Sequence, residues 1–125
     1  MTLARQLLGR QAEDLVAERL RRDGWRIVER NARTRTGELD LIALDGSVLV
    51  FVEVKAGRAG NAFGPERPAL AVDRAKQARL RRLAREWLAS RSGLGGVRVL
   101  RFDVVGVLFD RGGRVADFEH VRDAF

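Results

Sequence analysis

At 125 residues the chain has the length of one domain, enough to bury a core without staples, and it contains no cysteine. Disulfides, zinc–thiolate centres and cysteine nucleophiles are excluded, and a reducing cytoplasm is the expected location. Lys and Arg number 24 against 17 Asp and Glu, a formal charge of +7, which points to a polyanionic partner and first to nucleic acid.

Further exclusions narrow the chemistry. With one histidine and no tyrosine, histidine-paired ribonuclease chemistry and tyrosine nucleophiles are ruled out. Any cutting of nucleic acid falls to carboxylates, lysine and a metal ion. The longest apolar run, Val48 to Val52, is far too short to span a bilayer, so no membrane partner is expected.

From Leu3 to Arg22, apolar residues fall at 3, 4, 7, 8, 12, 15, 16 and 20, a stripe of helical period. Asp23-Gly24 ends it. Glu13, Asp14 and Glu18 argue against a transit peptide. Glu13 lies at the edge of the stripe, as a solvated acid or as a carboxylate aimed across the sheet. Trp25 to Arg30 reads as a first strand. The polar run NARTRTG after it carries Arg33 and Arg35, either as a solvated loop or as a grip on phosphates.

The stretch Gly37 to Lys55, GELDLIALDGSVLVFVEVK, organises the rest. Two strands, 37–44 and 48–56, meet at an Asp45-Gly46 turn, a strong hairpin signal. The second is almost continuously apolar and suits a strand covered on both faces. Period-two alternation puts Glu53 and Lys55 on one face, Val52 and Val54 on the other, and groups Glu38 and Asp40 with Ile42. Ionisable groups in such strands are rarely tolerated unless paired or metal-bound. Asp40 and Glu53 on neighbouring strands suit Mg²⁺ or Mn²⁺, which take oxygen ligands and keep several waters. Lys55 beside them suits charge developing on a phosphate. The plainer alternative is a surface ion pair without chemistry.

The Gly- and Pro-bearing segment AGRAGNAFGPERP is a loop, either a flap over substrate or an ordinary connection. A second helix is expected from Ala69 to Ser90. Its buried stripe includes Leu80, Leu83 and Trp87. Its other faces carry Arg74, Lys76, Arg79, Arg81, Arg82 and Arg85, a footprint for phosphates, with Lys76, Arg79 and Arg82 as named contacts. A strand at 97–109 and a short one, VADFEHV, close the chain. Asp103 is expected to be structural, paired with an arginine, and His120 carries no role. The element order is that of an α/β domain with helices flanking a mixed sheet.

Asp40, then twelve residues, then Glu53-Val54-Lys55 resembles the PD-(D/E)xK nuclease superfamily, with Leu39 where the motif has proline. GELDLIA, LVFVEVK, Arg30-Asn31-Ala32-Arg33, Phe63-Gly64 and Arg101-Phe102-Asp103-Val104-Val105 together resemble the YraN-like family of small bacterial proteins, described as endonucleases similar to Holliday-junction resolvases. The resemblance covers nearly the whole chain. It implies a restriction-endonuclease-like αβββαβ core with its site at one sheet edge. The implied metal ligands are Asp40, Glu53, the backbone carbonyl of Val54 and Glu13, with Lys55 catalytic and Glu38 an alternative acid. It further implies Mg²⁺-dependent cleavage of DNA, branched or single-stranded, by a homodimer. A nucleic-acid-binding or assembly module that keeps this fold without turnover is the competing expectation.

Overall fold

The computed structural model describes residues 3–60, 72–91 and 99–125. Its elements are α1 (Leu3–Arg22), β1 (Arg26–Arg33), β2 (Glu38–Asp45), β3 (Val48–Arg58), α2 (Arg74–Ala89), β4 (Val99–Phe109) and β5 (Val115–Val121). One open sheet runs in the order β1-β2-β3-β4-β5. β3 and β4 are parallel and every other neighbouring pair is antiparallel. A parallel pair needs a crossover, and the connection between β3 and β4 contains α2.

The strands place the helices on opposite faces, because β3 is apolar on both of its sides. Val50 and Val52 pack with Val16 and Leu20 of α1 and with Val105 and Val107 of β4. Leu49 and Phe51 point the other way, onto Leu80, Leu83 and Trp87 of α2. The Trp87 ring stands edge-on to Phe51 at 5.9 Å, and its Nε1 donates to Glu29 Oε1 at 3.2 Å, so a large buried ring keeps its one polar atom satisfied. The result is an α/β fold with a mixed five-stranded sheet between two helices, as the element order implied. No helix among the described residues is long and apolar enough to cross a membrane.

Several boundaries differ from the sequence reading. β1 continues beyond Arg30 to Arg33, because Ala32 pairs with Leu39 and Arg33 with Glu38. The polar run shrinks to a turn in which Thr34 N–H donates to Gly37 O at 2.8 Å. β3 extends to Arg58, carried by its pairing with β4 up to Phe109. α2 starts at Arg74, where Asp73 caps it by accepting from Lys76 N–H at 2.9 Å. Phe63-Gly64, most of the Gly- and Pro-bearing loop and the start expected at Ala69 lie outside the described residues.

Asp103 is wholly buried in β4 and fully partnered. Arg101 donates to both of its oxygens at 2.8 and 2.9 Å, Asp123 N–H donates at 3.0 Å, and His120 Nε2 lies 2.8 Å from Oδ2. Burial alone would raise this carboxyl, but the contacts to His120, Arg101 and the Asp123 N–H outweigh it and hold it at about 2. The expected Asp103–arginine pair is present. His120 gains a structural role as its second partner.

Candidate active site

The hairpin does not stay zipped. The β2–β3 ladder runs from Asp45↔Val48 to Leu41↔Val52 and ends there. Beyond it, the backbone N–H of Val54 donates to Asp40 Oδ2 at 2.9 Å. A carboxylate has replaced the backbone carbonyl that a continuing ladder would supply. In a strand, the N–H and C=O of one residue face the same side, so the Val54 carbonyl faces the same gap. Asp40 thereby lies against Glu53 and hydrogen-bonds to it.

The gap coincides with a switch of faces in β2. Leu39 and Ile42 both pack on the α2 side, whereas Leu41 and Ala43 pack on the α1 side. Strict alternation would have kept residues 39 and 41 together. The expected grouping of Glu38 and Asp40 with Ile42 is therefore not found. Asp40 turns side-on into the gap, and Glu38 reaches towards α1. Glu53 follows Phe51 and borders a small space with Asp40, Leu80 and Phe102 on the α2 side. The site also departs from the implied sheet edge, since β2 and β3 are the second and third strands in order.

On the α1 side, Asn31 gathers the remaining acids. It adopts a left-handed backbone with φ of 49°, a conformation asparagine tolerates better than most residues. In the amide orientation that satisfies its neighbours, its nitrogen donates to Glu13 Oε2 at 3.1 Å and to Glu38 Oε1 at 3.2 Å. Burial, followed by the nearby Asp40 charge, raises the Glu13 carboxyl above its ordinary value. Glu13 thus feels Asp40 from one side of the sheet while Glu53 touches it from the other. Sequence reasoning missed Asn31. Its signals were its place in the Arg30-Asn31-Ala32-Arg33 run of the resemblance and an asparagine's tolerance of positive φ.

Glu53 is the strained member. Burial first, then the hydrogen bond and the charge of Asp40, push its carboxyl up to about 9, against the lowering influence of Lys55 and Arg79. Two carboxyl groups are brought together with too little positive charge to compensate, which disfavours the charged form of Glu53. That chemistry fits Mg²⁺ or Mn²⁺ held by Asp40 and Glu53 with the Val54 carbonyl. Such ions commonly use one or two carboxylates and leave other positions to water and substrate phosphate. Among the described residues, no three acidic or histidine side chains converge as a ready-made cage. Glu13 lies within reach of the Asp40 charge, and Glu38 acts on Glu13 in turn.

Of the arginines expected to meet phosphate, Arg33 and Arg79 border the site. Both line a cleft of about 360 Å³ with Thr34, Gly37 and Glu38. Arg35 is exposed in the adjoining turn. Arg82 instead lies 3.9 Å from Glu86, and Arg81 stacks over Phe125 at 5.4 Å. Lys76 sits in the first turn of α2. Glu86 fastens the turn before β2, accepting from Thr36 N–H at 2.9 Å and from the Thr36 hydroxyl at 2.7 Å. These contacts, the Thr36 hydroxyl first, hold the Glu86 carboxyl below its ordinary range.

Gly37 permits this docking. A Cβ there would come within 2.9 Å of buried Leu83 Cδ2 and 3.4 Å of Arg79 Nη2. Gly37→Ala is expected to lower the melting temperature by several degrees, since overpacking typically costs about 1–3 kcal/mol. An unchanged melt would mean that α2 yields freely at this point.

The family model described as uncharacterised protein family UPF0102 matches residues 12–107. A UPF0102 protein of Pelotomaculum thermopropionicum is 46% identical over 125 residues, covering all of both chains. One from Rhodococcus jostii is 52% identical over 118 residues, 94% of this chain and 95% of the relative. One from Moorella thermoacetica is 46% identical over the full length of both. The site residues from Glu13 to Lys55 all fall inside the matched span, and the chain belongs to the UPF0102 family.

Proposed function

We propose that this UPF0102 protein is a metal-dependent endonuclease of the PD-(D/E)xK type that hydrolyses phosphodiester bonds in DNA, with branched, junction-like DNA as its preferred class. The observation that carries the reading is the opened β2–β3 ladder, which sets Asp40 against Glu53 and Val54 N–H with Lys55 two residues on. A bound Mg²⁺ or Mn²⁺ would supply charge stabilisation to the phosphoryl and leaving oxygens. Asp40 and Glu53 would hold it, and Glu13 would assist through water.

Lys55, whose charge acts on Glu53, would orient the attacking water and stabilise charge on the phosphate. Water adds in line to phosphorus, the bond to the leaving oxygen breaks, one proton leaves the water and another reaches the leaving oxygen. Arg33 and Arg79 neutralise backbone phosphates beside the reacting one. Cutting two strands symmetrically takes two such sites related by a two-fold axis, so the acting species would be a homodimer.

The test is cleavage of labelled duplex, single strand, flap and four-way junction with Mg²⁺ or Mn²⁺, with Lys55→Ala alongside wild type. Cutting of one class, reduced about 10²–10³-fold in the variant, is the expected result. Binding of all four without cutting, unchanged in the variant, would leave a nucleic-acid-binding module in place of the enzyme.

A further inference from the structure

A larger cleft opens on the α1 side, about 810 Å³, and its walls hold Arg5 and Arg10 from α1 with Arg30 and Arg33 from β1. Its acids are already engaged with neighbours. Asp14 pairs with the Arg30 guanidinium, and Glu13 and Glu38 share the Asn31 amide. Arg30 Nε is buried without a hydrogen-bond partner, a donor whose need is met by no described protein group. Gly9 faces the same space, and a Cβ there would meet nothing within 4 Å, so the helix surface stays low at this point.

This cleft shares Arg33 and Glu38 with the smaller one that reaches Arg79. The two meet at Arg33 and Glu38, so arginines flank Glu13 and Glu38 on both sides. Among the described residues the lining is polar and charged, with no aromatic side chain, a surface suited to contact through the sugar–phosphate backbone.

Resting on the nuclease reading, we infer that the α1–β1 cleft is a phosphate subsite for the substrate strand, with Arg10 and Arg30 binding backbone phosphates on the side of the reacting phosphate opposite Arg79. A guanidinium fork matches phosphate oxygens, and exposed Arg10 offers one in the wall of the cleft.

The test is fluorescence anisotropy with a labelled 20-nucleotide DNA, single-stranded and as a duplex, across a salt series, with Ca²⁺ in place of Mg²⁺ to hold off turnover. Arg10→Ala and Arg30→Gln would be compared with Arg21→Ala. Arg21 is exposed in the last turn of α1, roughly 16 Å along the axis from Arg10. Expected are a Kd raised about threefold or more by Arg10→Ala and a salt slope smaller by about 0.7–0.9, with Arg21→Ala like wild type. Arg10 is exposed, so its variant reports binding even if Arg30→Gln fails to fold. An unchanged slope in Arg10→Ala, or an equal loss in Arg21→Ala, overturns the subsite. Cleavage of the same DNA with Mn²⁺ reports on the nuclease reading separately.

Discussion

Asp40→Ala is expected to abolish saturable Mg²⁺ or Mn²⁺ binding in calorimetry and to lower cleavage by roughly 10³-fold or more. The substitution removes one of two carboxylates and also the acceptor of Val54 N–H, which is left half-buried and unpaired at about 1–3 kcal/mol. Asp40→Asn separates the two effects, since an amide oxygen can still accept from Val54 while the charge is gone. In either variant the Glu53 carboxyl should fall back towards its ordinary range, because the Asp40 hydrogen bond and charge follow burial as what raises it.

The pH dependence has a definite sign. Glu53 sits at about 9 in the folded chain against an ordinary 4.5. Between those values the folded state binds more protons than the unfolded, so metal-free stability falls as pH rises through that window. A cation held by the Glu53 carboxylate would displace its proton, so affinity should rise with pH, by up to tenfold per unit, and level off near pH 9. Affinity independent of pH from 6 to 9 would remove the protonated Glu53 from the account.

Asp103→Ala carries the largest expected cost to folding, about 3–5 kcal/mol, or a melting temperature lower by roughly 10 °C or more. The side chain is wholly buried, and its loss takes a partner from His120 and the Asp123 N–H and leaves Arg101 its longer ion pair with Asp45 at 3.7 Å. Its lowered carboxyl stabilises the fold fully above its ordinary value of 3.8. That contribution, about 2 kcal/mol, is lost as pH falls through about 2. Acid titration of wild type against Asp103→Asn would show it, and parallel curves would sink the assignment.

Much of the frame was readable because its signals are local. Asp45-Gly46 marks the turn by composition, and β3 announces burial on both faces by being apolar in both registers. The spacing from Asp40 to Glu53 brings the two together once the hairpin is granted. Where the ladder stops was not readable. It depends on the left-handed Asn31 and on the face switch between Leu39 and Leu41, each set by tertiary contacts. The basic face of α2 could not be sorted residue by residue for the same reason. Six positive charges look equivalent along a helix, yet Arg81 finds Phe125, Arg82 finds Glu86, and Arg79 borders the site. Arg30 read as the end of a strand, whereas its guanidinium lines the cleft with α1.

The early end of the β2–β3 ladder also bears on how this protein avoids sticking to itself. β3 is paired with β4 along all eleven of its residues, but with β2 only as far as Val52. Among the described residues, its second half lacks a strand partner on the β2 side, as an edge strand would. Such edges invite strand addition by another chain. Asp40 occupies the Val54 N–H on that side, while Lys55 and Arg58 place charge along the remainder, the usual guards of an exposed edge. The carboxylate that equips the site also blocks a route to intermolecular β-pairing. Asp40→Ala should accordingly aggregate faster than Lys55→Ala on mild heating, a difference that light scattering would register.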